Sequence, residues 1–210
     1  MSVSKTRRHL VDVARDLFAR KGLESTTMND IAAAANRGRR TVYTYFRSKE
    51  ELYTAVVETE LDRLSEKLDE VAAMDISPEH KLFMLAYTHL NSTKETVGRN
   101  GSLRAEFFRN IWTVETVRRA FDREERHTLR RIIQEGVDAG KFHVDSVVLM
   151  ADIFHFALKG LEVPYIYDRL GIGVSEEAAK PLVMRLICRV MGMVEPDLTS
   201  ELRYLQIRNK

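Results

Sequence analysis

Thr27-Met28-Asn29-Asp30-Ile31-Ala32-Ala33-Ala34-Ala35-Asn36-Arg37-Gly38-Arg39-Arg40-Thr41-Val42-Tyr43-Thr44-Tyr45-Phe46-Arg47-Ser48-Lys49-Glu50-Glu51-Leu52 carries the pattern from which the rest of the chain is understood. Thr27 precedes the apolar Met28 and Ile31 and has Asp30 three residues on, so it can cap a short helix whose positive end welcomes the acid. That helix runs through Ala32 to Ala35, small residues against which another helix can pack closely. Asn36 and Gly38 then interrupt it, and both tolerate the left-handed backbone of a sharp turn. A second helix from about Arg39 to Phe46 points Val42 and Phe46 inward, leaving Arg39, Arg40, Thr41, Tyr43, Thr44 and Tyr45 on its other faces. Ser48 and Glu51 have capping-box spacing and open a third helix. Two short helices around a tight turn form a helix-turn-helix, which predicts a DNA binder.

Working outward, residues 5–21 form a helix with Leu10, Ala14, Leu17 and Phe18 on one face and Gly22 as its stop. Residues 49–73 read as one long helix with Leu52, Val56, Leu64, Leu68 and Val71 near its inner stripe. This helix links a DNA-binding head to the rest, so its rotation is a route for a signal. Ser77-Pro78 marks the next helix start. Further helices are expected at about 78–96, 102–111, 114–139, 145–168 and 175–194, with Leu198, Leu202 and Leu205 in a short final one. Hardly any segment alternates with period two. The fold class is therefore all-α, of about nine helices. The expected division is a helix-turn-helix domain over residues 1–50 and a larger helical domain over 51–210.

Charge supports that division. Residues 1–50 hold 11 basic and five acidic residues, a balance of +6, whereas the remaining 160 hold 22 basic and 26 acidic, a balance of −4. A basic head on a mildly acidic body is the electrostatic footprint of a DNA-reading domain. The chain has no run of 18 apolar residues, so no membrane span is expected. Met1 to His9 lack the apolar core of a secretory signal, and the single Cys188 fits a reducing cytoplasm as a small buried hydrophobe.

The order Thr27, Asp30-Ile31-Ala32, Ala35, Thr41-Val42-Tyr43, Phe46 and Ser48-Lys49-Glu50-Glu51-Leu52 resembles the amino-terminal domain of TetR-family transcriptional regulators. Ala14, Leu17-Phe18 and Gly22 stand in the same register, and the resemblance covers roughly residues 5–55. The chain departs from the family in having Asn36-Arg37-Gly38 where Gly-Val-Ser is usual, and Arg40 where a small residue is usual. Arg37 thereby replaces an inward-packing apolar residue and adds positive charge near DNA.

In a helix-turn-helix the second helix enters the major groove, amino-terminal residues nearest the bases. Arg39 and Arg40 are the candidates for base contact, because arginine binds guanine bidentately; the alternative is contact with phosphates only. The family resemblance assigns Tyr43 and Lys49 to phosphates, which suits a hydroxyl donor and a cation at a helix start. Thr27, Thr41 and Tyr45 are candidates for further backbone contacts, with packing as the rival role for Tyr45. Arg37 either reaches phosphate from the turn or stays solvated.

The body is rich in aromatic residues. The resemblance implies an apolar effector cavity between helices, with Met84, Tyr87, Phe107 and Phe108 as candidate lining together with Trp112, Phe121, Phe154 and His155. For any one of them an ordinary core position is the competing reading. His89, Glu106, Arg109 and His155 are polar groups in these stretches, suited to orienting a ligand or satisfying buried partners. Glu124 and Glu125, set among arginines, read as a solvated, ion-paired helix face. The last two long helices are apolar on several sides, which a symmetric four-helix interface with a second copy would explain. Leu158, Leu161, Val183, Ile187, Val190 and Met191 are its candidate residues.

An enzyme is the main alternative class. His9, His80, His89, His127, His143 and His155 never take the His-x-x-x-His ligand spacing, and no Gly-rich phosphate loop or Gly-x-Ser-x-Gly elbow is present. No catalytic residue, metal ligand or cofactor is therefore assigned. The expected partners are a palindromic operator in double-stranded DNA, a second copy of the chain and a small, largely apolar effector. A constitutive DNA-organising protein without an effector is the remaining alternative, and a pocket separates the two.

Overall fold

The computed structural model describes residues 5–99 and 111–193. These form eight helices: α1 Lys5–Lys21, α2 Met28–Ala34, α3 Arg39–Tyr45, α4 Lys49–Ala72, α5 Pro78–Arg99, α6 Ile111–Asp138, α7 Val147–Ile166 and α8 Glu176–Val190. No strand occurs among the described residues, so the all-α class stands. The helix expected at 102–111, except for Ile111, and the final one around Leu198 to Leu205 lie outside the described residues. The others fall within a few residues of their expected bounds, the largest shift being the end of α8.

The chain forms two compact units, Met1–Glu66 with Ser92–Arg123, and Lys67–Asn91 with Glu124–Lys210; α4, α5 and α6 each contribute to both. In the first, Leu10, Ala14 and Phe18 of α1 meet Ile31 and Ala32 of α2 and Val42 and Phe46 at α3. The same core takes in Leu52, Tyr53, Ala55 and Val56 from the first two turns of α4. The reason is geometric: α2 and α3 have seven residues each and cannot enclose a core with α1 alone. Gly22 ends α1 as expected, with φ 85° and its N–H on the Phe18 carbonyl at 3.0 Å.

The second unit is built on Leu82, Phe83 and Leu85 of α5, Leu129, Ile132 and Ile133 of α6, and the inward faces of α7 and α8. Cys188 is buried there, as a small hydrophobe should be. Where α6 turns back at its end, a Cβ on Gly136 would stand 2.1 Å from the Phe142 ring. Only glycine lets Phe142 fold in against the helix and bury itself completely.

Candidate nucleic-acid interface and ligand cleft

Thr27 caps α2 through a reciprocal pair of bonds. Its hydroxyl oxygen accepts from the Asp30 N–H at 3.1 Å, and the Asp30 carboxylate accepts from the Thr27 N–H at 2.9 Å and the Thr27 hydroxyl at 2.8 Å. The bond from the Thr27 backbone leads in holding the Asp30 carboxyl below its ordinary value. After Ala35 the chain reverses at Asn36, whose φ of 51° is left-handed, and the Arg37 N–H returns to the Ala32 carbonyl at 2.9 Å. Gly38 does not share that conformation. At φ −65° and ψ 145° it is extended and serves as N-cap of α3, a position without a side-chain cap bond.

The turn directs α3 so that Val42 and Phe46 are buried while Arg39, Arg40, Tyr43 and Thr44 are exposed. The Arg39 guanidinium lies 5.4 Å over the Tyr43 ring, a cation–π contact that holds a cation and a hydroxyl together. Arg37 is exposed at the turn, its guanidinium donating to the Asn36 carbonyl at 3.2 Å. Thr41 and Tyr45 are half-buried, and Tyr45 packs on the head core. At the start of α4 the Ser48 hydroxyl accepts from the Glu51 N–H at 3.2 Å, while the Glu51 carboxylate reaches past Ser48 to the Arg47 N–H at 2.6 Å. The Lys49 ammonium donates to the carbonyls of Leu23 at 2.7 Å and Glu24 at 3.3 Å, tying α4 to the loop after α1. Arg39, Arg40 and Tyr43 thus form a basic, hydrogen-bonding face on a helix that carries no acid, with Arg37 exposed in the turn before it.

In the first unit a cleft opens among α4, α5 and α6. Tyr53, Val56, Val57, Leu61, Leu64 and Val97 give it apolar walls, and Glu60, Ser92, Thr93, Thr96 and Arg118 complete the lining. Its space, mouth included, is about 700 Å³. None of the described aromatic candidates lines it. Phe121 is buried with the Arg118 guanidinium over its ring, Tyr87 meets Phe83 at 4.7 Å with the rings tilted by 42°, and Met84 and Phe154 are half-buried. Phe107, Phe108, Glu106 and Arg109 lie outside the described residues, as does the side chain of Trp112. Aromatic richness pointed away from the cleft because its apolar walls are, Tyr53 apart, ordinary aliphatic positions of α4 and α5; their one sequence signal is an apolar stripe broader than a single contact face needs.

His155 is bonded to a buried carboxylate of its own chain. Its Nδ1 meets one oxygen of the Glu125 carboxylate at 2.6 Å, and the other oxygen meets His89 Nδ1 at 2.5 Å. His89 Nε2 reaches Glu162 at 2.9 Å. All four side chains are buried, so Glu125 is no part of a solvated face: its neighbours Glu124 and Arg123 are exposed, and one helical step turns it inward. Burial alone would push the His89 imidazolium down, but its bonds to Glu125 and Glu162 outweigh this and hold it at about 9. Burial likewise opposes the charged form of Glu125, and the bonds from His155 and His89 bring it down to about 2. Glu162, an acid set between Leu161 and Val163 of α7, was the unread signal for this cluster. Among the described residues no group of three or more His, Cys, Asp and Glu is placed to hold a metal ion.

The apolar faces of α7 and α8 are also redistributed. Leu158, Ile187 and Met191 are buried in the chain's own core, and Leu161 and Val183 are half-buried, so of the six candidates only Val190 is exposed. Besides Val148, the large apolar residues that face solvent are Leu149, Ile153, Phe156 and Val163 on α7 and Leu182, Leu186 and Val190 on α8. With Val148 set aside, they recur at three, four and seven residues, the spacing of one helical stripe. Choosing among the apolar positions of these helices required knowing which stripe the core consumes.

Residues 10–56 match the family model described as bacterial regulatory proteins, tetR family. An uncharacterized HTH-type transcriptional regulator of Bacillus subtilis is 28% identical over 161 residues, covering 71% of this chain and 75% of its own. A probable acrEF/envCD operon repressor of Escherichia coli is 25% identical over 203 residues, covering 92% of this chain and 88% of its own. Among solved structures, a transcriptional regulator of the TetR/AcrR family from Thermobifida fusca superposes with a TM-score of 0.65 at 23% identity, over 90% of this chain and 97% of the other.

Proposed function

Because the chain belongs to the TetR family of bacterial transcriptional regulators, we propose that it is a homodimeric repressor released from a palindromic operator by a small apolar effector. The observation that carries the reading is the outward face of α3, where Arg39, Arg40 and Tyr43 stand exposed on a helix positioned by a capped helix-turn-helix. Arg39 and Arg40, at its amino-terminal end, read base edges in the major groove. Tyr43 and Lys49, with Arg37, Thr27 and Thr41, hold the phosphates; Tyr45 contributes through packing. Similarity to a probable operon repressor supports the sign of regulation. The exposed stripes on α7 and α8 support a dimer, which would offer two recognition helices to half-sites about 34–36 Å apart or a multiple of that. The apolar cleft supports an effector-responsive protein over a constitutive DNA-organising one, which needs no such recess. No helix among the described residues is long and apolar enough to cross a membrane.

The test is fluorescence anisotropy on DNA flanking the protein's own gene, across a salt series. Tight binding at two chains per site is expected. Tyr43→Ala should weaken it about equally on all sequences, and Arg40→Ala should cost about 1–3 kcal/mol at one base position while relaxing the preference there. A folded protein that fails to bind any DNA at low salt would refute the reading.

A further inference from the structure

We infer that the buried cluster of His89, Glu125, His155 and Glu162 positions α7, deciding which of its faces is turned outward and offered to a second copy. The orientation is a property of the single chain; only its consequence for pairing rests on the dimer proposed above. The buried face of α7 reads Ala151, His155, Leu158, Glu162 and Ile166. The opposite stripe, at similar helical spacing, reads Leu149, Ile153, Phe156, Gly160 and Val163, and its four large apolar residues are exposed. A helix at a protein surface ordinarily buries its more apolar stripe and leaves its ionisable groups in water. Here the reverse holds. Hydrophobic burial alone would favour seating α7 the other way round, so its orientation has another cause.

The ionisable residues of α7 supply it. Asp152, His155, Lys159 and Glu162 follow one another at three, four and three residues and so share one side of the helix. Asp152 lies 3.1 Å from Arg130 and 3.7 Å from Arg126 of α6. His155 Nδ1 meets Glu125 of α6 at 2.6 Å, and Glu162 meets His89 Nε2 of α5 at 2.9 Å. Glu125 and His89 are themselves joined at 2.5 Å, so α5 and α6 together present one receptor to α7. The Asp152 pairs are partly exposed and contribute little. The cluster is buried, where a group turned away from its partner leaves a desolvated charge behind. Turning α7 over would break both of its bonds to that receptor at once, a penalty that outweighs the apolar area the turn would cover.

The orientation can be read with one thiol in the full-length protein. Ile153→Cys places it on the outward stripe, Cys188→Ala removes the native thiol, and Leu186→Glu keeps the chain monomeric so that pairing cannot shield position 153. N-ethylmaleimide, which is uncharged, should react readily in this background. His89→Leu with Glu125→Leu then withdraws the receptor. α7 should turn so that His155 and Glu162 reach water, and the rate should fall about ten-fold as position 153 goes inward. A merely structural role predicts the opposite sign, because a loosened helix exposes its thiols more. Leu129→Ala, which truncates the same unit's core and leaves the cluster intact, is the control, and its rate should be unchanged or higher. With residues 153, 186 and 188 native, the double variant should sediment as a monomer and Leu129→Ala as a dimer. A rate unchanged or raised in the folded double variant would overturn the inference, and a dimer that survives a fallen rate would overturn its consequence for pairing. If the double variant loses its helical circular dichroism, Glu125→Leu and His89→Leu are read singly in the same way; loss of the fold in both would make the cluster a condition of folding and overturn its role in orientation. A wild type that is itself monomeric would refute the proposed dimer and leave the thiol rates to decide the orientation.

Discussion

Glu125 commits both carboxylate oxygens to imidazoles, one on α5 and one on α7, where water does not reach. Removing one partner of such a buried set strands the others, at a cost of about 3–5 kcal/mol. Glu125→Gln keeps the shape and loses the charge, and it should lower the free energy of urea unfolding by about 3 kcal/mol. An unchanged midpoint would mean the cluster is energetically neutral. Its pH dependence has a definite sign. His89 holds its proton more tightly in the folded chain, at about 9 against an ordinary 6.5, so its stabilisation is complete below 6.5 and is lost as pH rises through 9. Glu125 is depressed to about 2 from 4.5, so its stabilisation is complete above 4.5 and is lost as pH falls through 2. The melting temperature should accordingly decline between pH 6.5 and 9 in the wild type and be flatter in Glu125→Gln. Identical slopes in the two proteins would remove His89 as the cause.

Among the elements, the turn between α2 and α3 separates two residues that sequence treats alike. Asn36 takes a left-handed conformation and Gly38 an extended one, in which an added Cβ would meet only Thr41 Oγ1 at 3.9 Å. Gly38→Ser should therefore stabilise the head by roughly a few tenths of a kcal/mol by giving α3 the side-chain cap it lacks, whereas Asn36→Val should cost about 1–2 kcal/mol. Thermal melts of both variants test this, and a destabilising Gly38→Ser would mean that the glycine is needed for reasons other than its angles. The same contrast marks how far sequence carries. Helix bounds and caps in the head were legible because their signals are local: Thr27 and Asp30, Ser48 and Glu51, and Gly22 act within five residues of where they stand. The exposed face of α3 was legible too, since Val42 and Phe46, about one helical period apart, share the buried face and leave Arg39, Arg40 and Tyr43 to the others. What stayed hidden depends on partners far along the chain. Tyr53 lines a cleft only because residues 92–97 pack opposite it, and Glu125 is buried only because His89 and His155 come from other helices to meet it.

For the whole molecule, the apolar stripes on α7 and α8 are the surface on which the proposed pairing of two copies rests. Phe156 is 59% exposed and Leu186 is 61% exposed, with Leu149, Ile153 and Leu182 also half or more in water. Scattered apolar residues on a surface need no explanation, but seven recurring at helical spacing on two helices form a patch of the kind that marks an interface. Covering such patches between two copies contributes about 25 cal/mol per Å² removed from water, against the several kcal/mol lost in bringing two bodies together. A stable pair needs about 1,200–2,000 Å² buried in total, which two helices per copy can supply. Leu186→Glu places a charge in the stripe without touching the chain's own core, so the fold should survive while the dimer does not. Sedimentation velocity should show the wild type at twice the mass of the variant at micromolar concentration, with unchanged helical circular dichroism in both. Operator affinity should fall with it, because each monomer then reaches one half-site and the second contact is no longer effectively intramolecular, a loss on the order of 10²–10⁴-fold. A variant that remains dimeric would move the interface away from α8, and a monomer that binds the operator as tightly as wild type would separate DNA reading from dimerisation altogether.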